Sequence, residues 1–187
     1  VIVAVIDTGV AYDNYTEPGV PIGKSGKLST GTVFAKAPDL AGTSFVPGYD
    51  FVNDDARPND DEGHGTHVTG TIAQNTNNGI GVAGVAYNTS IMPIKVLNSS
   101  GSGTYADIAD GIYFAANADN KANIINMSLG GASGSITLED ALAYAYGLGV
   151  TIICSSGNDG STTVSYPAAY DAYCIAVGAT RYDEEVA

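Results

Sequence analysis

Positive charge is scarce in this chain. Seven Lys and Arg residues stand against twenty Asp and Glu, a net charge of −13 over 187 residues. Phosphate backbones are bound by cations, so nucleic acid is excluded as a partner. Long apolar runs are missing too: none approaches the ~20 residues that a membrane-spanning helix needs, so no membrane insertion is expected. Cysteine is almost absent. Cys154 and Cys174 can pair or stay as thiols, and their apolar surroundings favour two buried thiols. What is present is a 44% hydrophobic composition, enough for one globular domain with a sizeable core. The acids are unevenly placed. Asp50, Asp54, Asp55, Asp60, Asp61 and Glu62 fall within 13 residues, relieved only by Arg57. That stretch is either a solvated acidic loop or a cation site. The overall charge fits a secreted protein.

Apolar runs of strand length recur at Val1–Ile6, Ile91–Leu97, Asn123–Met127, Val150–Cys154 and Cys174–Val177. Helical patterns lie between several of them. One runs from His64 to Gln74. A second, Thr104–Ala118, puts Ile108, Ile112, Ala115 and Ala116 on one face. A third, Leu138–Tyr146, has Thr137 as its expected N-cap. Strands alternating with helices predict parallel pairing through right-handed crossovers. The predicted class is α/β, an open, mostly parallel sheet with helices on both faces. One segment resists this pattern: residues 17–37, rich in Gly, Pro, Ser and Thr, are predicted to be a surface insertion.

In open α/β sheets, sites form beyond the carboxyl ends of the strands. Asp7 follows the first strand, Asn158 follows Val150–Cys154 in SSGNDG, and His64 opens a helix between Gly63 and Gly65. An acid, a histidine and an amide donor converging there suit acyl transfer: the acid orients the imidazole, the imidazole takes a proton from a nucleophile, and the amide donates to an oxyanion. Other patterns compete. His64 and His67 are spaced i, i+3 and could form a metal pair of a hydrolase, although further ligands are few. Gly79–Gly84 matches GxGxxG, but no strand precedes it and no helix follows, which argues against a dinucleotide site.

VIVAVIDTGV, GHGTHVTGTIA, INMSLGG and SSGNDG, in this order, resemble the subtilisin-like serine proteases, the subtilases. The resemblance covers nearly the whole chain apart from residues 17–37. It implies a calcium-stabilised, secreted serine endopeptidase working through an acyl-enzyme, with Asp7 as orienting acid, His64 as general base and Asn158 as oxyanion donor. Ser128, Leu129, Gly130 and Gly131 are similar to the segment that pairs with substrate backbone and walls the main specificity pocket. Ser155, Ser156 and Gly157 resemble another wall, and Gly101, Ser102 and Gly103, with Tyr105, the opposite edge. Leu129 and the glycine lining imply a preference for apolar or aromatic residues before the scissile bond.

The resemblance also implies calcium. NTNNGIGV looks like the family's tight calcium loop, with Asp39, the Asn78 side chain and the carbonyls of Thr76, Ile80 and Val82 as ligands. YDFVNDDARPND resembles a second site, with Asp50, Asp55 and Asn59 as candidates.

The family pattern breaks at the nucleophile. Gly42-Thr43-Ser44 is followed by Phe45-Val46-Pro47, and a proline three residues on cannot open the required helix. Ser44 is therefore rejected. The resemblance implies a catalytic domain incomplete at both ends, with the serine supplied by a second polypeptide or a remaining segment of the chain. Beyond peptide or protein substrate, a propeptide is a further candidate partner. The competing expectation is a non-catalytic fragment that binds only peptide or calcium.

Overall fold

The computed structural model describes residues 1–16, 31–117, 119, 121–160 and 162–180. Most of the 17–37 segment lies outside them. In chain order the strands are β1 (Ile2–Asp7), β2 (Tyr15–Thr16), β3 (Val33–Phe34), β4 (Ser44–Phe45), β5 (Tyr49–Asp50), β6 (Ser90–Lys95), β7 (Ile124–Met127), β8 (Thr151–Ser155) and β9 (Cys174–Val177). Three α-helices accompany them: α1 (His64–Ala73), α2 (Tyr105–Ala116) and α3 (Ile136–Gly147).

Seven strands form one parallel sheet in the order β4-β6-β1-β7-β8-β9, with β5 also pairing β6. Strands β2 and β3 form a separate antiparallel pair, with Tyr15 opposite Phe34 and Thr16 opposite Val33. The expected class is correct, and the helices cover both faces. On one, Ala4 and Ile6 of β1, Met92 and Ile94 of β6, and Ile125 and Met127 of β7 pack with Ile108, Ile112 and Ala115 of α2 and Leu138 and Leu142 of α3. On the other, Val3, Val5 and Ile91 pack with Val68, Ile72 and Ala73 of α1. The alternation within β1 follows from the period of two: odd residues face α1 and even residues face α2.

Strand β1 is central, with β6 on one side and β7 on the other. The chain leaves β1 first toward β6 and later toward β7. This is the topological switch point, where a crevice opens at the carboxyl edge. Asp7 is the last residue of β1.

Two expectations need correction. The N-cap of α3 is Ser135, not Thr137, and its side chain makes no capping bond. Tyr170 takes that role from outside the helix: its hydroxyl accepts from Ser135 N at 2.7 Å and donates to Ser135 O at 3.0 Å, which fixes the turn two residues earlier. The two-residue strands β4 and β5 were not anticipated. Cys154 and Cys174 are buried with free thiols, as their apolar flanks indicated. Gly79–Gly84 lies between α1 and β6, with a helix before it rather than a strand.

Candidate active site

The start of α1 explains how His64 is held. The first amides of a helix lack intrahelical partners and must find others. The N-cap, Gly63, has φ 118° and no side chain to offer. Three side chains serve instead. His64 N donates to Glu62 Oε2 at 2.7 Å, Gly65 N to Thr8 Oγ1 at 2.9 Å, and Thr66 N to Asp60 Oδ2 at 2.9 Å. Asp60 is the hub of this arrangement. Its Oδ1 also accepts from Gly63 N and from the Thr8 hydroxyl, and its Oδ2 from the Thr66 hydroxyl. Thr8, the neighbour of Asp7, is thereby tied to the helix start at both ends of one hydroxyl.

The consequence is a short bond between two residues 57 positions apart. His64 Nδ1 lies 2.7 Å from Asp7 Oδ1, which also accepts from Thr8 N at 2.7 Å. Asp7 is fully buried, whereas the His64 side chain is 47% exposed, so the pair spans the boundary between core and cleft. Burial pushes the Asp7 carboxyl above its usual range, and the His64 bond offsets only part of this. The same bond pushes His64 upward. Burial of the ring opposes it, while the Asp7, Glu62 and Asp60 charges add to it. An imidazole with one nitrogen on a buried carboxylate and half its surface open can accept a proton and hold the resulting charge.

His64 forms one rim of a cleft of about 420 Å³. The sequence-predicted residues Gly101, Ser102, Gly103, Tyr105, Ser128, Leu129, Gly130 and Gly131 all line it. One close approach requires glycine there: a Cβ on Gly103 would lie 2.3 Å from Val96 O. One on Gly131 would lie 3.0 Å from the Tyr105 hydroxyl, which would have to give way by a few tenths of an ångström. Besides buried Asp7, four predicted catalytic or substrate-binding residues do not line the cleft. Ser155 donates to Leu129 O at 3.2 Å and so supports the wall from behind, and Ser156 pairs with Val177 and Ser165. Gly157 and Asn158 follow on the same sheet edge, with Asn158 exposed.

The cleft also contains Thr8, Glu62, Leu97, Ile108, Leu138, Tyr166 and Pro167, which sequence reasoning missed. Tyr166 arrives through a backbone bridge with Gly131, a tertiary pairing that no local pattern announces. Ser44 sits opposite Ser90 at the start of β6, whereas Asp7 sits opposite Lys95 at its end. Five residues of strand, about 16 Å, separate the two levels. The rejection of Ser44 therefore has a geometric basis.

For a cation, no three His, Cys, Asp or Glu side chains converge among the described residues. The His64–His67 metal reading thus has no third ligand there. Around NTNNGIGV the donors are carbonyls and amides instead. Asp39 Oδ2 is buried without a hydrogen-bond partner among the described residues, and a Cβ on Gly81 would lie 2.2 Å from it. Asn78 Nδ2 donates to Asp39 Oδ1 at 2.6 Å, and Asn78 Oδ1 accepts from Ile80 N. In the second predicted set, two of the three residues already accept hydrogen bonds. Asp50 Oδ1 accepts from Val52 N and Asn53 N, and its Oδ2 from Asn53 Nδ2. Asp55 Oδ1 accepts from Arg57 N, and Asn59 Oδ1 is buried without a partner among the described residues.

Residues 1–187 match the model of the family described as Subtilase family. The chain is 43% identical over 182 residues to a thermophilic serine proteinase of Bacillus sp. (strain AK1), covering 97% of this chain and 39% of that protein. It is 46% identical over 147 residues to thermitase of Thermoactinomyces vulgaris, covering 79% of this chain and 51% of that protein. The solved structure of sphericase superposes with a TM-score of 0.77 at 31% identity, covering 99% of this chain and 56% of that one. The chain thus spans roughly two fifths to just over half the length of these relatives.

Proposed function

We propose that this chain, which belongs to the subtilase family, is part of a secreted serine endopeptidase that cleaves peptide bonds through an acyl-enzyme. The observation that carries this reading is the 2.7 Å bond from buried Asp7 to half-exposed His64 at the rim of a glycine-lined cleft. In the proposed reaction, His64 takes the proton of a serine hydroxyl as that oxygen attacks the peptide carbonyl. It then gives the proton to the departing amine. Asp7 fixes the ring through Nδ1 and stabilises its cation, and Asn158 donates to the oxyanion. Substrate backbone pairs with the Ser128–Gly131 and Gly101–Gly103 edges. The apolar lining from Leu97, Ile108, Leu129 and Leu138 favours apolar or aromatic side chains before the scissile bond.

None of the 187 residues offers a serine in the required motif. We assign the nucleophile to a segment outside them. One sheet face supports this. On the α1 side, Ile175 and Val177 of β9 are 55% and 49% exposed, whereas Ile152 and Cys154 on the opposite side of neighbouring β8 are covered.

We assign calcium to Asp39, the Asn78 side chain and the carbonyls of Thr76, Ile80 and Val82. The orphaned buried Asp39 Oδ2, with only glycine beside it, supports this. Binding would require the Asn78 amide to turn over, because its nitrogen faces Asp39, and that turn gives up the bond from Ile80 N. It would also require the Val82 carbonyl to be shared with or released by Gln74 Nε2. When bound, the ion would lock the loop between α1 and β6.

The test is an intact-mass spectrum of the protein that carries this chain, before and after a serine-reactive phosphonate. A polypeptide gaining the phosphonate mass in the wild type, but not in Asp7→Asn or His64→Ala, is the expected result. A wild type that never takes the label would overturn the protease reading in favour of a peptide- or calcium-binding fragment.

A further inference from the structure

Lys95 is the one fully buried cation among the described residues. It ends β6, where the register places it beside Asp7 of β1 and Asp50 of β5. Paired residues of parallel strands project to the same face. Lys95 shares that face with Ile91, which packs against α1. Its ammonium therefore lies beneath the helix that begins with His64.

A buried ammonium is costly unless every donor is used and its charge is matched. Both conditions hold. Nζ donates to Thr8 O at 2.6 Å, to Leu97 O at 2.8 Å and to Asp61 Oδ1 at 2.5 Å. These three acceptors belong to three segments. Thr8 follows Asp7 and bonds the helix start through its hydroxyl. Leu97 lines the cleft. Asp61 belongs to the loop leading into α1, between Asp60 and Glu62, which cap that helix.

We propose that Lys95 is a positioning residue for the acid–histidine pair, its ammonium clamping the end of β1 to the loop that delivers His64. The assignment rests on the protease reading for its catalytic consequence, but not for its geometry. A buried lysine serving only the sheet would need no partner on the loop before His64. Here its one ion pair among the described residues, with Asp61, is on that loop. Removing the ammonium leaves two backbone carbonyls and a carboxylate without their donor, and the three segments can then drift apart. Misplacement of a catalytic group by about 1 Å costs on the order of a hundredfold in rate.

The charges facing these groups set the signature. His64 is faced by Asp7 from β1 and by Asp60 and Glu62 from the loop. Lys95 is faced by Asp61 from the loop and flanked in register by Asp7 and Asp50. Removing the cation strengthens the negative field at His64, and removing Asp61 weakens it.

The experiment compares Lys95→Met and Asp61→Asn in the full-length protein. Rates are expressed per phosphonate-titrated site, with KM, melting and the pH profile measured alongside. Lys95→Met should lower kcat between about ten- and a hundredfold, leave KM within about twofold, and move the acid limb upward. Asp61→Asn should lower kcat less and move the acid limb downward. Loss of stability alone would not displace the limb in opposite directions. Unchanged kcat per titrated site, with an unmoved limb in both variants, would overturn the assignment. Should Lys95→Met not fold, Asp61→Asn decides alone, since Asp61 is partly exposed. Should the wild type take no phosphonate, the protease reading fails separately. NMR titration of the His64 ring in the same variants then decides: opposite displacements support Lys95, and none refutes it.

Discussion

Gly81 and Gly79 lie two residues apart in the proposed calcium loop and differ in one respect. Both have left-handed backbone, φ +58° and +72°. A Cβ on Gly79 would meet nothing within 4 Å, whereas one on Gly81 would lie 2.2 Å from Asp39 Oδ2. Alanine at either position costs about 1–2 kcal/mol for the left-handed conformation. At 2–4 °C per kcal/mol for a domain of this size, that lowers Tm by about 2–8 °C. Gly81→Ala should do more. Its methyl occupies the place of the carboxylate oxygen, so Asp39 must swing away and can no longer contribute to a cation site.

Calcium at a hundred times its Kd would stabilise the wild type by about 2.7 kcal/mol. The corresponding rise in Tm is about 5–11 °C. The assay is thermal melting of the full-length protein in saturating calcium and in excess chelator. The wild type and Gly79→Ala should show the same calcium increment, offset by a constant amount. Gly81→Ala should lose the increment. If Gly81→Ala kept the whole increment, Asp39 would not be a ligand. If chelator left wild-type melting unchanged, calcium would have no site here at all.

Two further outcomes follow from the packing. Burial pushes Asp50 up to about 6, from an ordinary 3.8. Because the folded value is raised, its favourable contribution is complete below pH 3.8 and is lost as pH rises through 6. The ionised form is therefore penalised by about 3 kcal/mol at neutral pH. Asp50→Asn preserves its hydrogen bonds if the Asn53 amide turns over. Denaturant melts should show the wild type losing stability relative to this variant between pH 4 and 7, and parallel curves would refute the assignment. Gly65→Ala should destabilise, although alanine ordinarily gains about 1 kcal/mol over glycine inside a helix. Its Cβ would lie 2.1 Å from Gly9 O and 3.1 Å from Asp7 Cβ, so α1 must lift and the Asp7–His64 bond stretch. The net cost should be about 1–3 kcal/mol with slower phosphonate labelling, and wild-type labelling with higher Tm would contradict this.

The legible parts of the fold share one property: their information is local. Five strands announced themselves because buried parallel strands read as near-continuous apolar runs, VIVAVI the clearest. Cys174–Val177 coincides with β9, while the other four moved at a boundary by one or two residues, since hydrogen bonds rather than hydropathy end a strand. Strands β4 and β5 hold two residues each, too few to display a period. The site divides in the same way. Asp7 and His64 stand beside structural punctuation, a strand end and a glycine-flanked helix start. Ile108, Leu138, Tyr166 and Pro167 enter the cleft only because separate elements pack together. Lys95 was visible as one charge inside the run IMPIKVL, but its partners come from Thr8 and Asp61, 87 and 34 residues away.

The electrostatic arrangement explains why so acidic a loop can serve an imidazole without capturing it. Asp7, Asp60, Asp61 and Glu62 surround the start of α1, yet each has its own donors. Asp60 is held by three backbone amides and two hydroxyls, Glu62 by the His64 amide, and Asp61 by the Lys95 ammonium. Only Asp7 reaches the ring. A carboxylate engaged by fixed donors has little reason to rotate toward a neighbouring imidazole, since doing so would strand buried or helix-terminal amides. The surrounding acids therefore act on His64 through their field, raising its proton affinity, while its orientation is left to one bond. Asp7 Oδ2 is buried without a partner among the described residues, where the carboxylate is held by its Oδ1 bonds. The rigidity of the pair must then come from the elements that carry it. In this fold, the Thr8 hydroxyl, Asp60 and the Lys95 ammonium join those elements.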